Sequence, residues 1–126
     1  VPPTREPEHY YAAADALLHP TFYDACANVV LEALAAGLPV VSSDHNGSAE
    51  LVSHGIDGFV LPVIPNGSEV DALWQQQIAT LATQPELRED VGEKARQLAC
   101  EHSMTNYLNH FESHLETIAQ AKGRQI

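Results

Sequence analysis

From Asn28 to Ala36 the chain runs Asn-Val-Val-Leu-Glu-Ala-Leu-Ala-Ala, and only Glu32 interrupts its apolar residues. That pattern predicts a helix buried between other elements rather than lying on a surface. Asn28 reads as its N-cap, and Gly37 followed by Leu38-Pro39 as its stop. A carboxylate in such a helix is costly unless it is hydrogen-bonded, so Glu32 is expected to face a polar cleft or a partner.

The flanking segments alternate with this helix. Pro7 to Ala14 begins with proline and an acidic residue, as a short helix would. Ala16 to His19 predicts a short buried strand ended by Pro20. Pro39 to Ser43 is a continuous apolar run of the kind found in a parallel strand covered on both faces. Ser48 to His54 predicts a short helix, capped by Gly47 or Ser48 and stopped at Gly55. Asp57-Gly58 then turns into a third strand, Phe59 to Leu61, ended by Pro62. Strand and helix in alternation imply right-handed crossovers and a parallel sheet, an α/β fold of Rossmann-like type with flanking helices. Ligands in such sheets bind beyond the carboxyl ends of the strands, where the His19–Asp24 and Ser43–Gly47 loops fall.

Past the third strand the pattern turns helical. Ser68-x-x-Asp71 resembles a capping box, and Val70, Leu73, Trp74, Ile78 and Leu81 recur at helical spacing. Pro85 punctuates; Leu87, Val91, Ala95 and Leu98 make a second stripe, and Met104, Tyr107, Leu108, Phe111, Leu115 and Ile118 a third. Trp74 and the aromatic residues of the last helix read as packing side chains. The organisation expected is one domain over 1–126, with a βα core at 1–65 and a helical segment at 66–126.

Composition narrows the partners. The 126 residues carry 6 Lys and Arg against 17 Asp and Glu, a formal net charge of -11, which disfavours nucleic acid and anionic membrane surfaces. No apolar run approaches the roughly 20 residues that span a bilayer. Cys26 and Cys100 lie far apart with no metal or redox spacing, so free thiols in a cytoplasmic setting are expected. Cys26 has no histidine at a spacing that suggests a nucleophile, and His19, His45 and His54 make no metal pattern. No metal and no cofactor are expected. Gly47, Gly55 and Gly58 read as turn residues with positive φ; His45 and Asn46 read equally well as cleft-lining and as solvated loop residues.

Candidate chemistry gathers at the start of the central helix. Ala25, Cys26 and Ala27 are small enough to let backbone N–H groups approach an anion, and the helix dipole favours negative charge there. Glu32 lies four residues beyond Asn28, about 5.4 Å or one turn along the same face, and Asp24 lies in the loop on the other side. Carboxylates repel an anion but accept paired hydrogen bonds from vicinal sugar hydroxyls. A sugar–diphosphate–ribose ligand, with hydroxyls at both ends and charge in the middle, matches that order.

These residues carry a resemblance. Asp24, seven residues, Glu32, and then Ala33-Leu-Ala-Ala-Gly-Leu-Pro-Val-Val41 are similar to the acidic-x(7)-Glu signature of the retaining glycosyltransferases of GT-B fold. The approach to that signature appears as Ala13-Ala14-Asp15 and His19-Pro20-Thr21, and its sequel as Gly47, Glu50, Gly55 and Gly58. Tyr23-Asp24-x-x-x-Asn28 and Asn46-Gly47-Ser48-Ala49-Glu50 most resemble lipopolysaccharide core glucosyltransferases. The resemblance implies the C-terminal, donor-binding domain of a hexosyltransferase that uses a nucleotide diphosphate sugar, with UDP-glucose as the first candidate. It implies that Asp24 and Glu32 are the catalytic carboxylates, that Asp24 binds the donor sugar, that Glu32 holds the ribose, and that Ala25, Cys26, Ala27, Asn28 and Val29 line the donor. The family's usual residue at position 24 is Glu, and its usual loop there is richer in glycine.

The same resemblance covers only part of a two-domain enzyme, and the chain opens Val1-Pro2-Pro3 without Met. A piece of a longer protein is therefore expected, with the acceptor-binding N-terminal domain and the basic residues that contact the diphosphate lying upstream. The whole protein is expected in the cytoplasm or on the inner face of the inner membrane, and this piece is expected to be inactive alone. The last helix would then lack its usual cover and promote self-association. Two alternatives stand beside this reading: a nucleotide-sugar epimerase of similar architecture, and a non-catalytic module that assembles through its C-terminal helices.

Overall fold

The computed structural model describes residues 6–64 and 67–121. Its elements, in chain order, are α1 (Glu8–Ala13), β1 (Leu17–His19), α2 (Asn28–Ala36), β2 (Val40–Ser43), a 3-10 turn (Gly47–Leu51), β3 (Phe59–Leu61), α3 (Ser68–Thr83), α4 (Pro85–Glu101) and α5 (Met104–Ala121). The three strands form one parallel sheet in the order β1-β2-β3, with Leu17 opposite Val40 and Val41 opposite Phe59. This is the α/β sheet with flanking helices that the alternation of segments predicts. The boundary expected at 65/66 lies outside the described residues.

Alternation along β2 sends successive side chains to opposite faces, and each face has its own core. Val40 packs with Ala27, Val30, Ala33, Leu34, Leu38, Val52 and Ala95. On the other face Val41 packs with Phe59, Leu61, Leu81 and Val91. All four residues of β2 are buried, as a central parallel strand requires. α4 serves both cores through Val91 and Ala95, and its Arg96 donates to the carbonyl of Ala36 at 3.2 Å, satisfying an orphan acceptor at the end of α2.

Gly37 stops α2 as expected. It adopts the left-handed conformation (φ 77°), and the N–H of Leu38 returns to the carbonyl of Ala33 at 2.9 Å. The start and the burial of α2 differ from expectation. The cap position is Ala27; Asn28 is already the first helical residue, is exposed, and makes no capping bond. Only Val30, Ala33 and Leu34 are buried, while Glu32, Ala35 and Ala36 face outward. The sheet and α4 cover one side of the helix, and short α1 covers little of the other.

Other expectations are corrected by what covers each element. Ala16–His19 was expected to be buried, but β1 is an edge strand among the described residues and Leu18 is 43% exposed on its outer face. The helix expected over Ser48–His54 is a shorter 3-10 turn capped by the Asn46 side chain, not by Gly47 or Ser48. Of Gly47, Gly55 and Gly58, only Gly55 has positive φ, at 79°. Ser68 and Asp71 form no capping box, because the cap position falls on Gly67. In α3, Leu81 is buried and Trp74 is half-buried, its indole N–H donating to the carbonyl of Pro62 at 2.9 Å; Leu73 and Ile78 remain exposed.

Along α5 the expected apolar stripe exists but is left exposed by the described residues. Tyr107 and Phe111 stack on one another with ring centroids 6.2 Å apart, and both are exposed, as are Leu108, Leu115 and Ile118. Among the described residues, the aromatic side chains of the last helix, expected as core, are therefore not core residues.

Candidate functional site

The loops after β1 and β2 are joined at the carboxyl edge of the sheet. Asp24 and Asn46 form a parallel bridge: the N–H of Asp24 donates to the carbonyl of His45 at 3.2 Å, and that of Gly47 to the carbonyl of Asp24 at 2.9 Å. Ser43 Oγ, at the end of β2, donates to the carbonyl of Thr21 at 2.6 Å and ties the same two segments again.

Asn46 organises the junction, a role that a reading as cleft-lining or solvated residue missed. It is 3% exposed. Its Oδ1 accepts from the N–H of Ser48 at 3.0 Å and of Ala27 at 3.4 Å, and its Nδ2 donates to Ser42 Oγ at 3.0 Å. One side chain thus caps the 3-10 turn, binds the residue at the head of α2 and anchors to β2. Ser48 adds a bond from Oγ to the carbonyl of Ala27 at 3.3 Å, with Cys26 Sγ 3.5 Å away. The signal available in the sequence was an Asn-Gly-Ser triplet two residues beyond a buried strand, which predicts side-chain capping of the next turn.

The donors at the start of α2 divide into two groups. The N–H of Cys26 is taken by Asp24 Oδ1 at 3.1 Å, in a local loop closure, and that of Ala27 is taken by Asn46. Asn28 and Val29, in the first turn, have no acceptor among the described residues. An anion at this helix end would therefore meet the N–H groups of Asn28 and Val29, with Cys26 and Ala27 shaping the approach.

Asp24 is held from two sides. Its Oδ1 faces the Cys26 N–H, and its Oδ2 lies 3.7 Å from His19 Nε2, a nitrogen that is itself buried and without a hydrogen bond. An open cleft of 510 Å³ begins here, lined by Tyr23, Asp24, Ala25, Asp44, His45, Asn46, Gly47, Ala49, Glu50 and Val60. Its charged groups are the carboxylates of Asp24, Asp44 and Glu50; among the described residues no Lys or Arg lines it. His45 Nδ1 meets Asp44 Oδ1 at 2.8 Å. Such a wall suits hydroxyl groups and offers no countercharge to a phosphate.

Glu32 does not line that cleft. It is exposed on the outer face of α2, and its Oε2 accepts from the hydroxyl of Tyr11 in α1 at 2.6 Å. The expected polar partner exists, but it is a tyrosine twenty-one positions upstream, and exposure removes most of the desolvation cost. Burial, reinforced by the Glu32 carboxylate as acceptor and as charge, pushes the Tyr11 phenol from 10 to about 12. Cys26 and Cys100 are free thiols. Among the described residues, no three His, Cys, Asp or Glu side chains converge as metal ligands, and no helix is long and apolar enough to cross a membrane.

Comparisons with known proteins bear on the family and the fold. The chain is similar to sucrose synthase 2 of Pisum sativum, 41% identical over 58 residues that cover 44% of this chain and 7% of that protein. It is similar to the amylovoran biosynthesis glycosyltransferase AmsK of Erwinia amylovora, 38% identical over 66 residues, 48% of this chain and 16% of that one. Among solved structures, WaaG, a glycosyltransferase involved in lipopolysaccharide biosynthesis, superposes with a TM-score of 0.63 at 31% identity over 76% of this chain and 25% of its own. Anabaena HepE in complex with UDP and glucose gives 0.65 at 25% identity, covering 88% and 29%. This chain thus spans a small part of each relative. The fold also matches a glycosyltransferase from Rickettsia africae, with a TM-score of 0.74 at 19% identity, and the architecture is that of the C-terminal domain of GT-B glycosyltransferases. The sequence model of the family described as "Glycosyl transferases group 1" matches residues 1–98, and the chain belongs to that family.

Proposed function

We propose that this chain is the donor-binding portion of a retaining hexosyltransferase that takes UDP-glucose and transfers glucose to a glycan or lipopolysaccharide acceptor. The observation that carries the reading is the junction at the sheet edge: free N–H groups at Asn28 and Val29, Asp24 on the cleft side, and Glu32 one turn along α2. The N–H groups meet the diphosphate, Asp24 accepts from hydroxyls of the sugar, and Glu32 accepts from hydroxyls of the ribose. Charge develops on the β-phosphate as the glycosidic bond breaks, and donors already aimed there lower the barrier. Support for UDP and glucose comes from HepE, whose structure holds both, and support for the acceptor class from WaaG and its part in lipopolysaccharide biosynthesis.

Among the described residues no Lys or Arg lines the cleft, so in this reading the charge of the diphosphate is balanced by basic residues outside that lining. Calorimetric titration with UDP, UDP-glucose and GDP-mannose tests the reading. Binding of the uridine compounds that disappears in Glu32→Ala is the expected result; preference for the guanosine donor, or binding indifferent to Glu32, would overturn it.

A further inference from the structure

The Tyr11 side chain has two environments. Its ring packs against the core cluster that contains Ala27, Val30, Ala33 and Leu34, and its hydroxyl reaches out to Glu32 Oε2 at 2.6 Å. It is the one residue of α1 that is not exposed; Glu8, His9, Tyr10, Ala12 and Ala13 all face solvent. The tyrosine is therefore fixed by packing, while the glutamate it holds stands on an exposed helix face.

We infer that Tyr11 is a positioning residue for ribose recognition, holding the Glu32 carboxylate in the rotamer that accepts the vicinal hydroxyls of a ribonucleotide. This rests on the assignment of Glu32 to the ribose. An exposed glutamate samples many rotamers and must give them up when a ligand binds, which lowers affinity. Tyr11 removes that freedom before the ligand arrives. Its single hydrogen bond uses one lone pair of Oε2, so Oε1 and the second lone pair of Oε2 still accept from a diol. A phenol pushed up to about 12 stays protonated, and hence a donor, throughout the physiological range.

The test compares UDP with 2′,3′-dideoxy-UDP, which differ only in the hydroxyls that Glu32 would accept from. Titrated calorimetrically against the whole chain, UDP is expected to bind more tightly, and Glu32→Ala is expected to erase the difference. Tyr11→Phe, which keeps the ring, is expected to shrink that preference about fivefold, the effect of losing one ordinary hydrogen bond. Tyr11→Phe with the full preference, or with both nucleotides weakened equally, would show a merely structural tyrosine and overturn the inference while leaving Glu32 in place. A wild-type chain that binds neither nucleotide, or both alike, overturns the ribose assignment and this inference with it. A ligand-free measurement guards the contact itself. Followed by ultraviolet absorbance, the Tyr11 phenol should titrate near 12 and fall part of the way in Glu32→Ala, burial keeping the rest of the shift; a Tyr11 titration that Glu32→Ala leaves unmoved would mean that the bond does not exist in solution.

Discussion

Gly47 lies directly against the carbonyl of Ala25, so closely that a side chain at position 47 would overlap that oxygen. The two loops can meet only because residue 47 lacks a Cβ. Gly47→Ala should force the loop after β2 away from the head of α2 and destabilise the chain by about 1–3 kcal/mol, the usual cost of overpacking. Urea unfolding measures this; an unchanged midpoint would mean that the loops yield without strain.

Asn46 should be the most sensitive polar residue of the junction. Asn46→Ala strips partners from the N–H groups of Ala27 and Ser48 and from Ser42 Oγ, all in a buried setting. A loss of about 2–3 kcal/mol is expected from the unsatisfied donors, together with loss of UDP binding as the start of α2 loosens. Asn46→Asp keeps the acceptor and loses the donor, and should fall between wild type and Asn46→Ala in both measurements.

Glu32 should separate binding from stability. Because it is exposed, Glu32→Ala is expected to shift unfolding by no more than about 0.5 kcal/mol, as surface substitutions do, while UDP affinity drops. A variant that unfolds much more easily would mark Glu32 as structural through its bond to Tyr11.

Tyr11 gives stability a dependence on alkaline pH. Its folded pKa lies above the unfolded value of 10, so the folded state holds the phenolic proton more tightly. The contribution is complete below pH 10 and is lost as the pH rises toward 12. Solvent screens the exposed Glu32, so the change is on the order of 1 kcal/mol. Unfolding of wild type should weaken across that window more than unfolding of Tyr11→Phe; parallel profiles would remove the linkage.

The two helical stripes should respond oppositely to truncation. Val91 is fully buried between α4 and the sheet, and Val91→Ala should cost about 1–3 kcal/mol. Phe111 is 49% exposed on α5, so Phe111→Ala should stay within about 0.5 kcal/mol. Thermal melts of the two variants decide whether α5 stands clear of the core in solution.

Much of this architecture was legible along the chain because local rules suffice for it. The apolar run Val40–Ser43, the stop at Gly37 and the turn before Phe59 specify strands and helix ends through periodicity and backbone sterics, which act over a few residues. The spacing of Asp24 and Glu32 likewise placed one acid in a loop and the other one turn into a helix. Only the tertiary structure decided which surfaces are covered and which polar groups meet. Tyr11 reaches Glu32 across twenty-one positions, Asn46 caps two elements from a third, and the described residues leave Leu18 and Phe111 exposed. Periodicity identifies an apolar face but not its cover, and a hydrogen bond between distant residues depends on how the sheet, α1 and α2 pack together in space.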